Sequence, residues 1–395
     1  MIAIICVCFN LPLVYSQCYW NRTPYSYYGS KTPYDATRGD FRDVPQLKGC
    51  KPESIWFMAR HGARHPDQED KNDMKDILDL KDDILDNYED GRGDLCAQDI
   101  ADLRAWTWNE KLDRAIYHLT PEGYRELLDF GDRFSVKFQS LLENLDVSLI
   151  RSTKEQRTIK SARAFIEGLK NIKKPIVVDD PISDDPIARL QANVQRRVGL
   201  DFELSPKNIL SIYNLCRNYR SYSVLKRSPW CAVFSDDELM ILEYVEDITH
   251  YYRNGYGHST NILLGALGLK DLYQKFEKAS KEGLKTLTGY FTHDTMLHMI
   301  YTAMGLYMDY PKISGLERVK HRQWRTSFLT PFAANFVAVL HRCESNNGFV
   351  HRVQFLVNEK ELHLCGDRTC SLEEFRHKFQ KFNNASSDFC NGDYL

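Results

Sequence analysis

Residues 54–66 read Ser54-Ile55-Trp56-Phe57-Met58-Ala59-Arg60-His61-Gly62-Ala63-Arg64-His65-Pro66. The apolar and aromatic run to Ala59 predicts a buried strand. It breaks at once into two arginines and two histidines around one glycine, and a proline closes it. A core strand gains nothing from such an ending, whereas a loop that must hold an anion needs fixed positive charge at its strand end. Glycine there lets a bulky group approach the backbone.

The same order of strand, polar turn and helix recurs twice. Residues 146–150 (DVSLI) lead into a polar run that contains Arg157, then a helix with Ala162, Phe165, Ile166 and Leu169 on one face. Residues 287–292 (LTGYFT) end at His293-Asp294-Thr295, ahead of a helix that carries Leu297, Ile300, Tyr301 and Met304. Three such units predict an α/β fold with a mostly parallel central sheet flanked by helices, and a ligand site at the carboxyl ends of the strands. Thr120-Pro121 reads as an N-cap and first helical residue. Runs at 333–340 and 349–357 across Asn346-Asn347-Gly348 carry a hairpin signal.

Outward from these units the chain divides by composition. Residues 1–16 hold no charged side chain and end in Val14-Tyr15-Ser16, which predicts a signal peptide and a secreted product. Residues 17–50, rich in Tyr, Pro, Gly and Ser, predict an irregular N-terminal arm wrapped on the surface. Residues 51–172 and 285–395 make up the α/β domain. The stretch 173–284, Pro- and Asp-rich and then helical, predicts a mainly helical cap inserted into it. Within the acidic run 67–94, Met74, Ile77, Leu78, Leu85 and Tyr88 recur at helical spacing, so its aspartates read as the wet face of an amphipathic helix.

A formal net charge of -2 over 395 residues argues against a nucleic-acid partner, and no later apolar run reaches the ~20 residues of a membrane span. Of eleven cysteines, two leave with the leader. The odd remainder predicts four disulfides and one free thiol, with Cys216 to Cys231 and Cys365 to Cys370 favoured as short loops. No CxxC or HExxH occurs, so no metal or other cofactor is expected. Sequons at Asn21 and Asn384 fit a secreted glycoprotein.

The three strand ends deliver Arg60, His61 and Arg64, then Arg157, then His293 and Asp294. Three guanidiniums supply planar donors that never lose charge, which suits a phosphoryl group held through an in-line displacement. His61, kept neutral among them, is placed as nucleophile. Asp294 would protonate the leaving alcohol and then assist water, while His293 adds a donor to the phosphoryl oxygens.

These residues give the chain its likeness to known proteins. RHGARHP at 60–66 with HDT at 293–295 resembles the histidine acid phosphatases. The segments YYGSKTPYD, SPWCAVFSDDELMILEYVEDITHYYRNGYGHSTN and WRTSFLTPFAANFVAVLHRC are similar to one subgroup, the multiple inositol polyphosphate phosphatases. The resemblance implies a phosphohistidine at His61, phosphate binding by Arg60, Arg64, Arg157 and His293, and proton donation by Asp294. Many members of the subgroup carry HAE where this chain has HD, a shorter acid directly after the histidine.

The function expected is hydrolysis of inositol polyphosphate monoesters, a small-molecule phosphorylated substrate, without a metal. A broad acid phosphatase and a phosphate-ligand binder without turnover are the alternatives. A polyphosphorylated ring needs further cations, for which Arg253, Arg322 and Arg325 are candidates.

Overall fold

The computed structural model describes residue 21 and residues 24–113, 116–169, 194, 197–198, 204–221, 228–315, 318–346 and 348–388. Residues 1–20, with the expected signal peptide among them, as well as most of the Pro- and Asp-rich stretch and residues 389–395, lie outside them.

Seven strands form one sheet: β1 Cys50–Arg60, β2 Val147–Ser152, β3 Thr286–Thr292, β4 Asn335–Ser345, β5 Gly348–Val357, β6 Lys360–Leu362 and β7 Cys370–Ser371. Their order is β2-β3-β1-β4-β5-β6, with β7 also on β5. The strands β2, β3 and β1 run parallel. The pairings of β1 with β4, β4 with β5, and β5 with β6 and β7 are antiparallel. The sheet is therefore mixed, and the expectation of a mostly parallel one is corrected. The physical reason was present in the hairpin signal. A short turn can join only antiparallel strands, and the C-terminal part of the chain is built from such turns.

β1 is central, and residues 55–59 are buried on both faces. On one face Phe57 meets Phe130, Phe134, Phe165 and Phe291 in a cluster held by α4 (Pro121–Lys137) and α6 (Gln156–Gly168). On the other, Trp56 and Met58 pack with Tyr244 and Tyr251 of α8 (Asp236–Asn254), Leu269 and Phe276 of α9 (Thr260–Glu282), and Leu297 and Ile300 of α10 (Asp294–Met304). A second helical cluster gathers Met74, Ile84 and Leu103 of α1 (Gln68–Lys75), α2 (Leu80–Glu89) and α3 (Ala97–Ala105) around α7 (Pro206–Asn218) and Trp230. The label α5 belongs to the short turn Gln139–Leu142 after α4. A cap standing apart from the sheet does not emerge, because α8 and α9, inside the expected cap range, share the core of β1.

The local signals mostly match. Thr120 caps α4, its hydroxyl accepting from the Gly123 N–H at 3.1 Å, with Pro121 first in the helix. The acidic run forms two helices, α1 and α2, that bury Met74 and Leu85, with Ile77 buried in the turn between them. The arm departs from expectation: its 3₁₀ turns are irregular, but Tyr28, Tyr34 and Phe41 are buried in the cores and not wrapped on the surface.

Disulfides join Cys216 to Cys231 and Cys365 to Cys370, and Cys50 to Cys343 across the β1–β4 ladder, where the two are register partners. Asn384 is exposed. Asn21 is buried, however, and its amide donates to the carbonyls of Cys231 and Phe234 at 2.7 and 2.6 Å, an arrangement that leaves it no room for a glycan. Among the described residues no helix is long and apolar enough to cross a membrane, and no group of His, Cys, Asp and Glu could hold a metal ion.

Candidate active site

The parallel half of the sheet aligns three strand ends: Arg60 pairs with Thr292, and Ser152 with Phe291. The residues that follow are thereby brought to one edge. Arg60 and His61 are 2 % and 3 % exposed, unusual for such polar groups unless they are partnered.

Arg60 is held on three sides. Its Nη1 donates to the carbonyls of Ser30 and, at 2.9 Å, of Thr330. Its Nη2 lies 2.7 Å from the Asp294 carboxylate, and its guanidinium carbon sits 4.7 Å from the centroid of the Phe332 ring. His61 Nδ1 lies 2.8 Å from the Gly62 carbonyl. A carbonyl can only accept, so Nδ1 carries the proton and Nε2 keeps its lone pair. Burial, then Arg60, Arg157, His293 and Arg64, hold the ring well below the ordinary histidine pKa. The imidazole is neutral and its open nitrogen faces a cationic environment.

The loop has no room for larger residues. A Cβ on Gly62 would lie 2.1 Å from the Gly123 carbonyl oxygen, and one on Gly123 would lie 2.0 Å from that of Ala63. The first turn of α4 thus presses directly on the loop. Its Glu126 takes the Ala63 N–H at 2.7 Å, and the Gly62 N–H donates to Ser161 of α6 at 3.1 Å.

His293 caps α10, and Asp294 opens it, where the helix dipole favours negative charge. Burial pushes Asp294 up, but the Arg60 guanidinium beside it outweighs that, and the carboxyl is held well below its usual range. Asp294 is therefore a carboxylate ion-paired with Arg60. The Nε2 of His293 lies 3.2 Å from Glu155 and 3.3 Å from the Thr153 hydroxyl. Arg64 and Arg157 approach one aromatic ring, that of Tyr117, at 5.1 and 5.2 Å from its centroid.

The six residues expected from sequence thus converge, four of them by direct contact or shared strand ends and two through Tyr117 and their charge at His61. The proposed ring cations fare otherwise. Arg322 is buried and donates to Asp247 and to Glu243 at 2.9 Å, and Arg325 donates to Glu243 at 2.8 Å. Both serve an internal ion network, because residues 322–326 lie against two acids of α8. Arg253 closes the last turn of α8.

Several contributors went unassigned in the sequence: Ser30, Lys31, Tyr117, Glu126 and Thr330. Ser30 and Lys31 lie in YYGSKTPYD, a segment noticed for its likeness but given no chemistry. Lys31 is buried 3.5 Å from Asp70. A cleft of about 160 Å³ lined by Lys31, Tyr34, Arg38, Ala63, Glu126 and Phe332 opens near the loop, but His61 does not line it. The convergent chemistry, more than cavity size, marks the site.

Comparison with known proteins agrees with this arrangement. The model of the histidine phosphatase superfamily (branch 2) matches residues 53–190 and 177–358. Multiple inositol polyphosphate phosphatase 1 of Drosophila melanogaster is 26% identical, over 91% of this chain and 85% of its own length. The Homo sapiens protein of the same name is 22% identical, over 86% and 82%. Among solved structures, the phytase from D. castellii superposes with a TM-score of 0.72 at 15% identity, covering 94% of this chain and 92% of that one. The Bifidobacterium longum multiple inositol polyphosphate phosphatase, in complex with inositol hexasulfate, gives 0.66 at 15% identity, covering 92% and 99%. These likenesses extend over the sheet and its helices together, and the chain belongs to the histidine phosphatase superfamily (branch 2), as a hydrolase of the acid phosphatase or phytase type.

Proposed function

We propose that the chain hydrolyses phosphomonoesters of inositol polyphosphates through a phosphohistidine on His61. The observation that carries this reading is the commitment of His61 Nδ1 to the Gly62 carbonyl, which leaves Nε2 as an open nucleophile among Arg60, Arg64 and Arg157. The inositol substrate is supported by the names of the relatives and by the inositol hexasulfate bound to one structural neighbour.

The reaction would run in two displacements. The guanidiniums and His293 hold the phosphoryl oxygens while Nε2 attacks phosphorus and the P–O bond to the alcohol breaks. Asp294 gives its proton to the departing oxygen. In the second step the Asp294 carboxylate takes a proton from water as the water oxygen attacks phosphorus and the P–N bond breaks.

Asp294 is ionised beside Arg60, so its proton must arrive with the substrate. A phosphate ester has a second pKa near 6, and in mildly acidic water it enters with one proton. Once bound, its negative charge opposes the field of Arg60, and the proton can pass to Asp294. Activity should therefore fall above about pH 6 as the dianion replaces the monoanion.

The disulfides fit an oxidising compartment, and we place the protein outside the cell through the leader at residues 1–16. A broad acid phosphatase is the second reading, favoured by the internal use of Arg322 and Arg325, which leaves neither for a further ring phosphate. Phosphate release at about pH 5 from inositol hexakisphosphate and from an aryl phosphate separates the two. The inositol reading expects release from both, with His61→Ala and Asp294→Asn strongly impaired. Release from the aryl ester alone would support the broad phosphatase, and binding of inositol hexakisphosphate without turnover would support a binder.

A further inference from the structure

We infer that Tyr117 is the positioning residue that holds the two outer phosphate-binding arginines, Arg64 and Arg157, in register for the substrate phosphate. The inference rests on the proposed roles of those two arginines. Nothing in the sequence singles Tyr117 out, since it lies in an ordinary run before the Thr120 cap.

Tyr117 has φ of +60°, in the left-handed region that a bulky residue adopts only at a cost, and its side chain is 46% exposed. Strain of that kind persists where the surroundings fix it, and here they do. The Tyr117 N–H donates to the Pro66 carbonyl at 3.2 Å, and the His65 N–H donates to the His118 carbonyl at 2.9 Å. Leu119 forms a β-bridge with Arg64, and the Thr120 N–H donates to Ala63 at 2.9 Å. The Leu119 N–H meets the Gln156 side chain at 2.9 Å, next to Arg157. Residues 117–119 therefore tie the loop after β1 to the start of α6, the two segments that supply the outer arginines.

The ring completes the tie. Both guanidinium carbons lie within 5.2 Å of its centroid, inside the range in which a cation is attracted to an aromatic face. Two like charges brought to one site repel each other, and in the absence of a phosphate something must offset that repulsion. Asp67, at 3.5 Å from Arg64, and Glu155, whose carboxyl is held down against burial in part by Arg157, each offset part of it on one side. The Tyr117 ring lies against both guanidiniums. Its attraction restricts the rotamers of two long side chains before the substrate arrives, so less freedom is lost on binding.

Because Arg64 and Arg157 would hold the phosphoryl group in the ground state as well as in the transition state, loss of the ring should act mainly on binding. The test measures inorganic phosphate binding by calorimetry, together with kcat and KM for an aryl phosphate. The full chain is compared with Tyr117→Phe, Tyr117→Leu and Tyr117→Gly. The expected result is a phosphate dissociation constant and KM raised about threefold to tenfold in the leucine and glycine variants, with kcat within about twofold and the phenylalanine variant at parental values.

Glycine adopts φ of +60° freely, so it removes the ring without straining the loop and serves should the leucine variant fold poorly. Parental or tighter phosphate binding in the glycine variant would overturn the inference, the second outcome marking Tyr117 as an obstruction. So would phenylalanine behaving like leucine. A parent that binds phosphate without hydrolysing the ester would remove the proposed reaction and leave this inference standing. A parent that binds no phosphate would overturn both.

Discussion

Replacing Gly123 by alanine adds one methyl group to a helix that supplies no reacting atom, yet it should disable the site. The added Cβ would lie 2.0 Å from the Ala63 carbonyl oxygen and 2.5 Å from the Ala63 nitrogen. Ordinary contact begins near 3.4 Å, so loop and helix must part by about 1.4 Å. Both atoms are backbone and no flexible side chain can yield. Alanine in place of glycine favours a helix by about 1 kcal/mol, but overpacking of this kind costs about 1–3 kcal/mol, so the net effect is destabilising. The loop that moves carries His61 and Arg64, and a misplacement of about 1 Å in a reacting group lowers rate on the order of a hundredfold. We expect Gly123→Ala to fold, to melt a few degrees lower, and to lose about 100-fold in kcat/KM on an aryl phosphate. Parental kcat/KM with an unchanged melting temperature would refute the claim that this glycine contact sets the loop.

Other outcomes follow from charge and burial. Burial raises the Glu126 carboxyl to about 7, so the folded chain binds this proton more tightly than the unfolded chain does. Its contribution is complete below about pH 4.5, is lost as pH rises through 7, and amounts to at most about 3 kcal/mol. Thermal melts at pH 4.5 and 7.5 should show a loss of stability in the parent that is flattened in Glu126→Gln; equal slopes would contradict it. Asp294 has the opposite sign, because the Arg60 guanidinium outweighs burial and depresses it. The stability it adds is present above about pH 4 and lost as pH falls, so the gap in melting temperature between the parent and Asp294→Asn should narrow between about pH 5 and 2. Arg322→Leu leaves Glu243 and Asp247 buried beside less positive charge and should cost about 3–5 kcal/mol in a denaturant melt. Arg325→Gln, at a half-buried position, should cost less and leave KM unchanged; a KM raised severalfold would restore Arg325 as a substrate contact.

The parallel half of the sheet and its strand ends were legible because each βα unit announces itself locally, by an apolar run that stops at a charged turn. Arg60, His61, Arg157, His293 and Asp294 could be read from those stops without knowing the strand order. The antiparallel half was legible in part: the glycine after Asn347 marked the β4–β5 hairpin, but its weight in the sheet depends on β6 and β7, which are only three and two residues long. Long-range pairing hid the rest. Arg322 and Arg325 look like free surface cations in HRQWR, and only the fold brings Glu243 and Asp247 to them across about 80 residues. Tyr117 and Ser30 were invisible for the same reason. A tyrosine before a helix cap or a serine in a turn has no local pattern, and their contacts depend on backbone placed by other elements. The arm misled because tyrosine and proline are as common in irregular surface loops as in irregular segments that thread a core.

The central claim, that His61 is the phosphorylated group, can be tested by trapping. An aryl ester has a good leaving group and needs little help from an acid in the first step, whereas water attack in the second needs the Asp294 carboxylate. In Asp294→Asn mixed with an aryl phosphate at about pH 5, the phosphoenzyme should therefore accumulate. Rapid quenching and peptide mass spectrometry should find an acid-labile phosphoryl group on His61, approaching one per chain, and none in a variant that also carries His61→Ala. Label on any other residue, or undiminished label without His61, would contradict the account.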